Sequence, residues 1–122
     1  MNGLMVFLGG GLGALTRYLL YLILPKATYL PFGTLVANFF GCFIATIVFT
    51  YLVLKNESCS AYRLFLITGF CGGLSTLSAL ALELNVFIHS GEYLRAIIYV
   101  LTSLLICIIS VILGLAVVKK YV

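Results

Sequence analysis

The chain has 122 residues, of which 64% are hydrophobic and only 8% are charged, and its formal net charge is +4. This composition lies outside the range of soluble globular domains, and the scattered Lys and Arg residues exclude a nucleic-acid partner. A membrane helix needs about 20 apolar residues, so the length predicts a single transmembrane domain, 1–122, of four spans with short turns.

The spans are predicted in chain order at about 3–24, 32–54, 62–88 and 93–118. The first carries Arg17 and ends before Pro25, which opens a turn over 25–31. The second has no charge and closes in the polar stretch 55–61, and a turn at 89–92 precedes the fourth. An all-α integral membrane fold follows, with both chain termini on one side of the bilayer.

The third predicted span is the least uniform. Small and hydroxyl residues crowd its centre: Gly69, Gly72, Gly73, Ser75, Thr76 and Ser78. Glycine inside a helix costs about 1 kcal/mol relative to alanine. Broken membrane helices are tolerated where the released backbone groups are buried in protein or bind an ion. The pattern predicts that the third helix is broken at mid-membrane, between about residues 72 and 76.

Basic residues near the span ends are almost balanced between the two sides of the membrane. Lys55, Arg63, Lys119 and Lys120 are expected on the terminal side, with Lys26, Arg95 and Arg17 opposite. A difference this small leans towards termini in the cytoplasm and is what a protein that inserts in both orientations would show. Dual topology is therefore a hypothesis.

Small residues recur at helical spacing in the second span, and Gly9 and Gly13 form a similar pair in the first. The stripe in the second span is Gly33, Ala37, Gly41 and Ala45. Such faces let helix backbones approach closely, so they predict packing rather than a binding site.

Polar side chains form two further stripes. Asn38 lies one turn after Thr34 in the second span, and the fourth span carries Tyr99, Ser103, Cys107 and Ser110. A buried amide is costly unless it has partners, so Asn38 needs a reason to be there. The stripes predict either hydrogen bonds between helices or an ion path.

The lining of such a path would favour an anion, since it offers amide and hydroxyl donors without a ring of carboxylates. Glu57 and Glu92 fall in predicted loops, and Glu83, near the end of the third helix, is the only carboxylate in a span. A proton-coupled exporter of the small multidrug-resistance type is disfavoured, because those transporters rely on a glutamate in the first span. This first span has none.

The four cysteines do not suggest a disulfide framework. Cys42, Cys71 and Cys107 lie in apolar runs, and only Cys59 falls in a predicted loop. No metal-ligand spacing is present, so the cysteines are interpreted as small hydrophobic residues.

Several motifs in order resemble the Fluc/CrcB fluoride channel family over the whole chain. They are Gly9-Gly10 with Gly13-Ala14 and Arg17-Tyr18, then Pro31 to Leu35 with Asn38 and Gly41, then Gly69 to Thr76. The resemblance implies an antiparallel dimer with narrow fluoride pores and a central structural sodium ion that is not transported. The sodium ligands would be the backbone carbonyls of Gly72 and Ser75 from each subunit.

The resemblance also assigns an anion pathway, which comprises Asn38, Thr34, Ser78, Tyr99, Ser103 and Cys107, with Arg17 matching the arginine that closes the first span. Leu77 and Leu80 stand where the family usually has phenylalanines. Ring edges carry partial positive charge that can face an anion, whereas leucine methyl groups offer nothing comparable.

The leading hypothesis is a fluoride-selective channel subunit, not an enzyme, that exports fluoride passively across the cell membrane, expected to be a bacterial inner membrane. It would pair with a second copy of itself or with a second homologous subunit. The alternatives are a non-conducting partner in a heteromeric channel, suggested by Leu77 and Leu80, and, less favoured, a proton-coupled exporter.

Overall fold

A computed structural model describes residues 2–24, 29–56 and 61–121. The described chain is helical, with α1 at Asn2–Ile23, α2 at Phe32–Leu54, α3 at residues 61–74, α4 at Leu77–His89 and α5 at Tyr93–Tyr121. The predicted loop positions Pro25, Lys26, Glu57 and Cys59 lie outside the described residues.

The four predicted crossings are confirmed as helical segments long and apolar enough to span a membrane. Helices α1, α2 and α5 each supply one crossing, and α3 with α4 supply the third, over Ala61–His89. The last helix continues beyond the predicted end at 118 through the lysine pair to Tyr121. The predicted turn before it is present, with Gly91 at a φ of 73°.

The third crossing is irregular in two ways. Leu64–Cys71 forms a π-helix, a rare wider coil that is often found at functional sites. Ser75 and Thr76 then have extended backbone, with ψ of 149° and 119°, before α4 begins at Leu77. This extended pair lies inside the stretch 72–76 where the sequence predicts a break.

Glycines of α1 bring its backbone directly against α3. A Cβ atom added at Gly9 would overlap the carbonyl oxygen of Phe65, and one at Gly13 would overlap that of Phe70. From the other side, a Cβ at Gly73 would lie 2.5 Å from the carbonyl oxygen of Gly10. The small-residue stripe in α1 is therefore a packing face, as predicted.

Gly13→Ala is expected to lower the free energy of unfolding by about 1–3 kcal/mol, the usual cost of overpacking, because the added methyl group meets backbone atoms that cannot rotate away. Gly11→Ala on the same helix is the matched control, since nothing lies within 4 Å of its added Cβ. Denaturant unfolding in mixed micelles measures both variants, and equal stabilities would contradict the close packing of α1 on α3.

The buried core lies between α2, α4 and α5. Leu35, Phe87, Ala96 and Tyr99 form its centre. Helix α5 packs along α2, where Gly114 lies against Thr46. At most 22% of each crossing's most apolar 18-residue window is buried within the chain. Most apolar side chains therefore face lipid or another subunit, and the few buried polar groups mark the site.

Candidate functional site

A cavity of about 210 Å³ opens beside the extended pair between α3 and α4. It is lined by Asn38, Cys42, Ser75, Thr76, Leu77, Leu80, Ser103, Leu104 and Cys107. The structure thus brings three of the predicted pathway residues, Asn38, Ser103 and Cys107, together with both leucines at the phenylalanine positions. Residues of α2, α4 and α5 meet at this cavity because the extended pair interrupts the helix between α3 and α4.

Asn38 holds the extended pair in place. Its Oδ1 accepts the backbone N–H of Thr76 at 2.7 Å, and its Nδ2 donates to the Thr76 carbonyl at a long 3.5 Å. One amide group therefore replaces the helical partners that Thr76 lacks. Because the Nδ2 group has two hydrogens and only one long contact is present, a second N–H is available to the cavity that Asn38 lines.

The buried serines of α5 direct their hydrogens back to their own helix. Ser103 donates to the Tyr99 carbonyl at 2.8 Å and Ser110 donates to that of Ile106 at 2.6 Å. Ser103 lines the cavity, but its hydroxyl must rotate before it can donate to an ion there. Ser78 is exposed and shares a 3.0 Å hydroxyl contact with Thr76.

A second polar cluster lies one turn earlier along α2 and α5, and its centre is Glu83 of α4. The Thr34 hydroxyl donates to both carboxylate oxygens at 2.8 and 2.9 Å, and the Tyr99 hydroxyl donates to Oε2. Tyr21 contacts the Thr34 oxygen at 3.0 Å. Because the single Thr34 hydrogen already faces Glu83, Tyr21 is the donor in that contact.

Aromatic and cationic groups cover the Glu83 cluster at the start of α5. The Tyr99 ring meets Phe87 edge to face, with centroids 5.8 Å apart. The Arg95 guanidinium lies over the other side of that pair, 4.4 Å from the Phe87 centroid, and also binds Glu92 at 2.8 Å. The Arg95 Nε donates to the carbonyl of Tyr29, which ties the start of α5 to the residues before α2.

Sequence reasoning missed Glu83 and Tyr21 as site residues. Glu83 lies near the end of the third crossing, as predicted, and there it is hydrogen-bonded to the predicted residues Thr34 and Tyr99. The available signal was its charge, since an ionisable residue inside a membrane span is a functional candidate by default. Arg17 of α1 is outside the set that lines the cavity, and its role stays a prediction.

The two carbonyls predicted to bind sodium have lost their usual helical donors. In a continuous α-helix, the N–H of Thr76 would donate to Gly72 and that of Ala79 to Ser75. Thr76 instead donates to Asn38, and Ala79 donates to the Thr76 hydroxyl at 3.2 Å. Carbonyl oxygens are the ligands that hard cations prefer, so this donor set fits a sodium ion.

Comparison with known proteins places this sequence in a family. The profile described as "CrcB-like protein, Camphor Resistance (CrcB)" matches residues 4–115. The chain belongs to the CrcB family. Its four membrane-spanning segments agree with this membership and identify a multi-pass cell-membrane protein.

Curated relatives align with this CrcB-family chain over nearly its full length. It is 41% identical to "Fluoride-specific ion channel FluC" of Pyrococcus abyssi, covering 96% of this chain and 95% of the relative. It is 36% identical to "Fluoride-specific ion channel FluC 2" of Nitrobacter hamburgensis, covering 98% of both. A relative of the same name in Streptococcus pneumoniae is 43% identical over 81% of this chain and 80% of its own.

Proposed function

We propose that this chain is a subunit of a fluoride-selective channel through which fluoride leaves the cell passively. Its curated relatives are named fluoride-specific ion channels. The observation that carries the proposal is the cavity in which the Asn38 amide and the Ser103 hydroxyl meet beside the extended backbone of Ser75 and Thr76. No bond is made or broken in this activity, so the protein is not an enzyme.

Fluoride is small and strongly hydrated, so a narrow pore must replace its water with closely spaced hydrogen-bond donors. The second N–H of Asn38 supplies one donor, and a rotated Ser103 hydroxyl supplies another. Cys107, one turn beyond Ser103, contributes only a weak S–H donor. Chloride is larger and is excluded by the width of such a path.

The Glu83 cluster supports the same path at its other end. The hydroxyls of Thr34 and Tyr99 both donate to the Glu83 carboxyl group, so the two donors point towards one place, which supports an anion position there. In the proposed mechanism, the carboxylate holds these donors in place between transits. When it swings aside, fluoride takes its position between the two hydroxyls. In this mechanism, Glu83 controls the access of fluoride to the two hydroxyls and does not carry protons.

We infer that the channel is an antiparallel dimer, formed with an oppositely inserted copy or with a second homologous subunit. The Leu77 side chain, beside the cavity, is 79% exposed, and Gly72 is exposed as well. The carbonyls of Gly72 and Ser75 from two subunits would hold one structural sodium ion. The second subunit would add the carbonyl ligands that the sodium ion needs, because one chain alone does not provide enough of them.

Gly72→Val is expected to weaken the dimer while leaving the fold of the subunit intact. Within the described chain, the nearest atom to a Cβ at Gly72 is the Ile67 carbonyl oxygen at 3.8 Å, so any clash would involve a partner. Cross-linking in detergent, with and without sodium, measures dimer content. Gly3→Val, also in open space, is the control. An unchanged sodium-dependent dimer in the Gly72 variant would contradict the inferred interface.

A second candidate is a non-conducting subunit that stabilises a conducting partner. It is favoured by one observation: Leu77 and Leu80 both line the cavity, at the positions where ring edges would face an anion. In that arrangement, the partner subunit supplies the aromatic rings.

The deciding experiment is fluoride efflux from liposomes that contain this protein alone, read with a fluoride electrode beside a chloride control. Rapid efflux of fluoride but not chloride, unaffected by an imposed proton gradient, supports the homomeric channel. If the folded protein alone gives no fluoride efflux but becomes active when a second family subunit is added, the partner role is supported. Flux driven by the proton gradient would overturn both in favour of an exporter.

A further inference from the structure

Two cysteines from different helices meet in the cavity beside the extended pair. Cys42 of α2 and Cys107 of α5 are both half-buried free thiols that line it. One wall residue of the same small cavity thus comes from α2 and the other from α5. Neither the spacing of the cysteines in the sequence nor the family assignment points to this pair, because their shared place in the cavity depends on the packing of α5 along α2.

The chemistry of the pair restricts what it can bind. Within residues 2–24, 29–56 and 61–121, no three histidine, cysteine or acidic side chains come together as metal ligands. A tetrahedral zinc site is therefore not available from these residues. Two thiols alone suit a soft cation that accepts two sulfur ligands, such as copper(I), silver(I) or mercury(II).

We propose that Cys42 and Cys107 form a two-coordinate binding site for a thiophilic metal cation, and that its occupancy blocks the cavity that they share with Asn38 and Ser103. For mercury(II) added as mercuric chloride, two S–H bonds and two Hg–Cl bonds break, two S–Hg bonds form, and the two chlorides leave as free ions. The thiols release two protons, and no atom is oxidised or reduced. Binding depends only on the two thiols, whereas the block rests on the proposed function of the cavity as an anion path.

A bound metal ion would obstruct the anion path because the cavity is small. The cavity holds only about 210 Å³, and the two sulfur atoms lie on its wall with the Asn38 amide. A metal ion bridging them would also fasten α2 to α5 at this level. With Asn38 and Ser103 held in this way, the cavity would have no room for an incoming anion.

The test uses the full chain with Cys59→Ala and Cys71→Ala, so that only the proposed pair remains. Cys71 needs removal because it is a third free cysteine among the described residues. Purified protein receives one equivalent of mercuric chloride, then excess monothiol, and intact mass spectrometry follows. The same protein in liposomes is assayed for fluoride efflux before metal, after metal and after a dithiol. Matched controls carry Cys42→Ala or Cys107→Ser.

The expected result is one retained mercury with loss of two protons, loss of fluoride efflux, and recovery with the dithiol. Each single-cysteine control should lose its metal to the monothiol, and its efflux after metal should equal its own efflux before metal. No retained metal, or the loss of two hydrogens without metal as in a disulfide, would overturn the site. Retained metal with unchanged efflux would overturn the block. Absence of efflux before metal is added would instead speak against homomeric conduction, and leaves the binding result to decide the site.

Discussion

Asn38→Asp is expected to reduce fluoride efflux to that of empty liposomes. The aspartate can still accept the Thr76 N–H, now as a charged acceptor, so the extended pair and the fold should persist. What changes is the other half of the group: an N–H that faces the cavity becomes an anionic oxygen. A fixed negative charge in a narrow, poorly hydrated path repels an anion strongly.

Asn2→Asp is the matched control for this prediction. It makes the same chemical change at an exposed position in the first turn of α1, where a negative charge is favourable. The control should keep the native efflux rate, with both variants reconstituted at equal protein density. Undiminished efflux in the Asn38 variant would remove this side chain from the anion path.

The double variant Leu77→Phe, Leu80→Phe is expected to conduct fluoride faster than the native chain when each is reconstituted alone. Both leucines line the cavity, and phenylalanine would turn ring edges with partial positive charge towards the anion. Leu77 is 79% exposed, so a ring fits there without displacing neighbours in the subunit. Leu80 packs against the core around Tyr99, where a larger side chain costs about 1–3 kcal/mol.

Leu82→Phe separates this effect from a general effect of adding rings. Leu82 lies on the same helix and is 69% exposed, but it is not among the residues that line the cavity. Its efflux should match that of the native chain. If the double variant gains no more than the Leu82 variant, the leucines do not limit conduction and the case for an aromatic partner subunit weakens.

In the Glu83 cluster, the sequence predicts two of the residues but not their common partner. Thr34 and Tyr99 were selected because polar residues recur on one helical face, and that periodicity is a local property of α2 and α5. Their common partner is on α4, and its direction depends on how the chain re-enters a helix after Thr76. The spacing of residues in the sequence does not encode the direction of α4 after Thr76. From the sequence, Glu83 therefore enters only the reasoning against an exporter.

The sequence by itself determined the four membrane crossings, their limits to within a few residues, and the family. These follow from hydrophobic length and from residue order, which act along the chain. The tertiary structure alone decided that Asn38 binds Thr76, that Glu83 accepts hydrogen bonds from both Thr34 and Tyr99, and that Cys42 and Cys107 line one cavity. These contacts join residues on different helices. They depend on how closely the backbones approach, and small residues such as Gly13 and Gly114 set that approach only once the helices are packed.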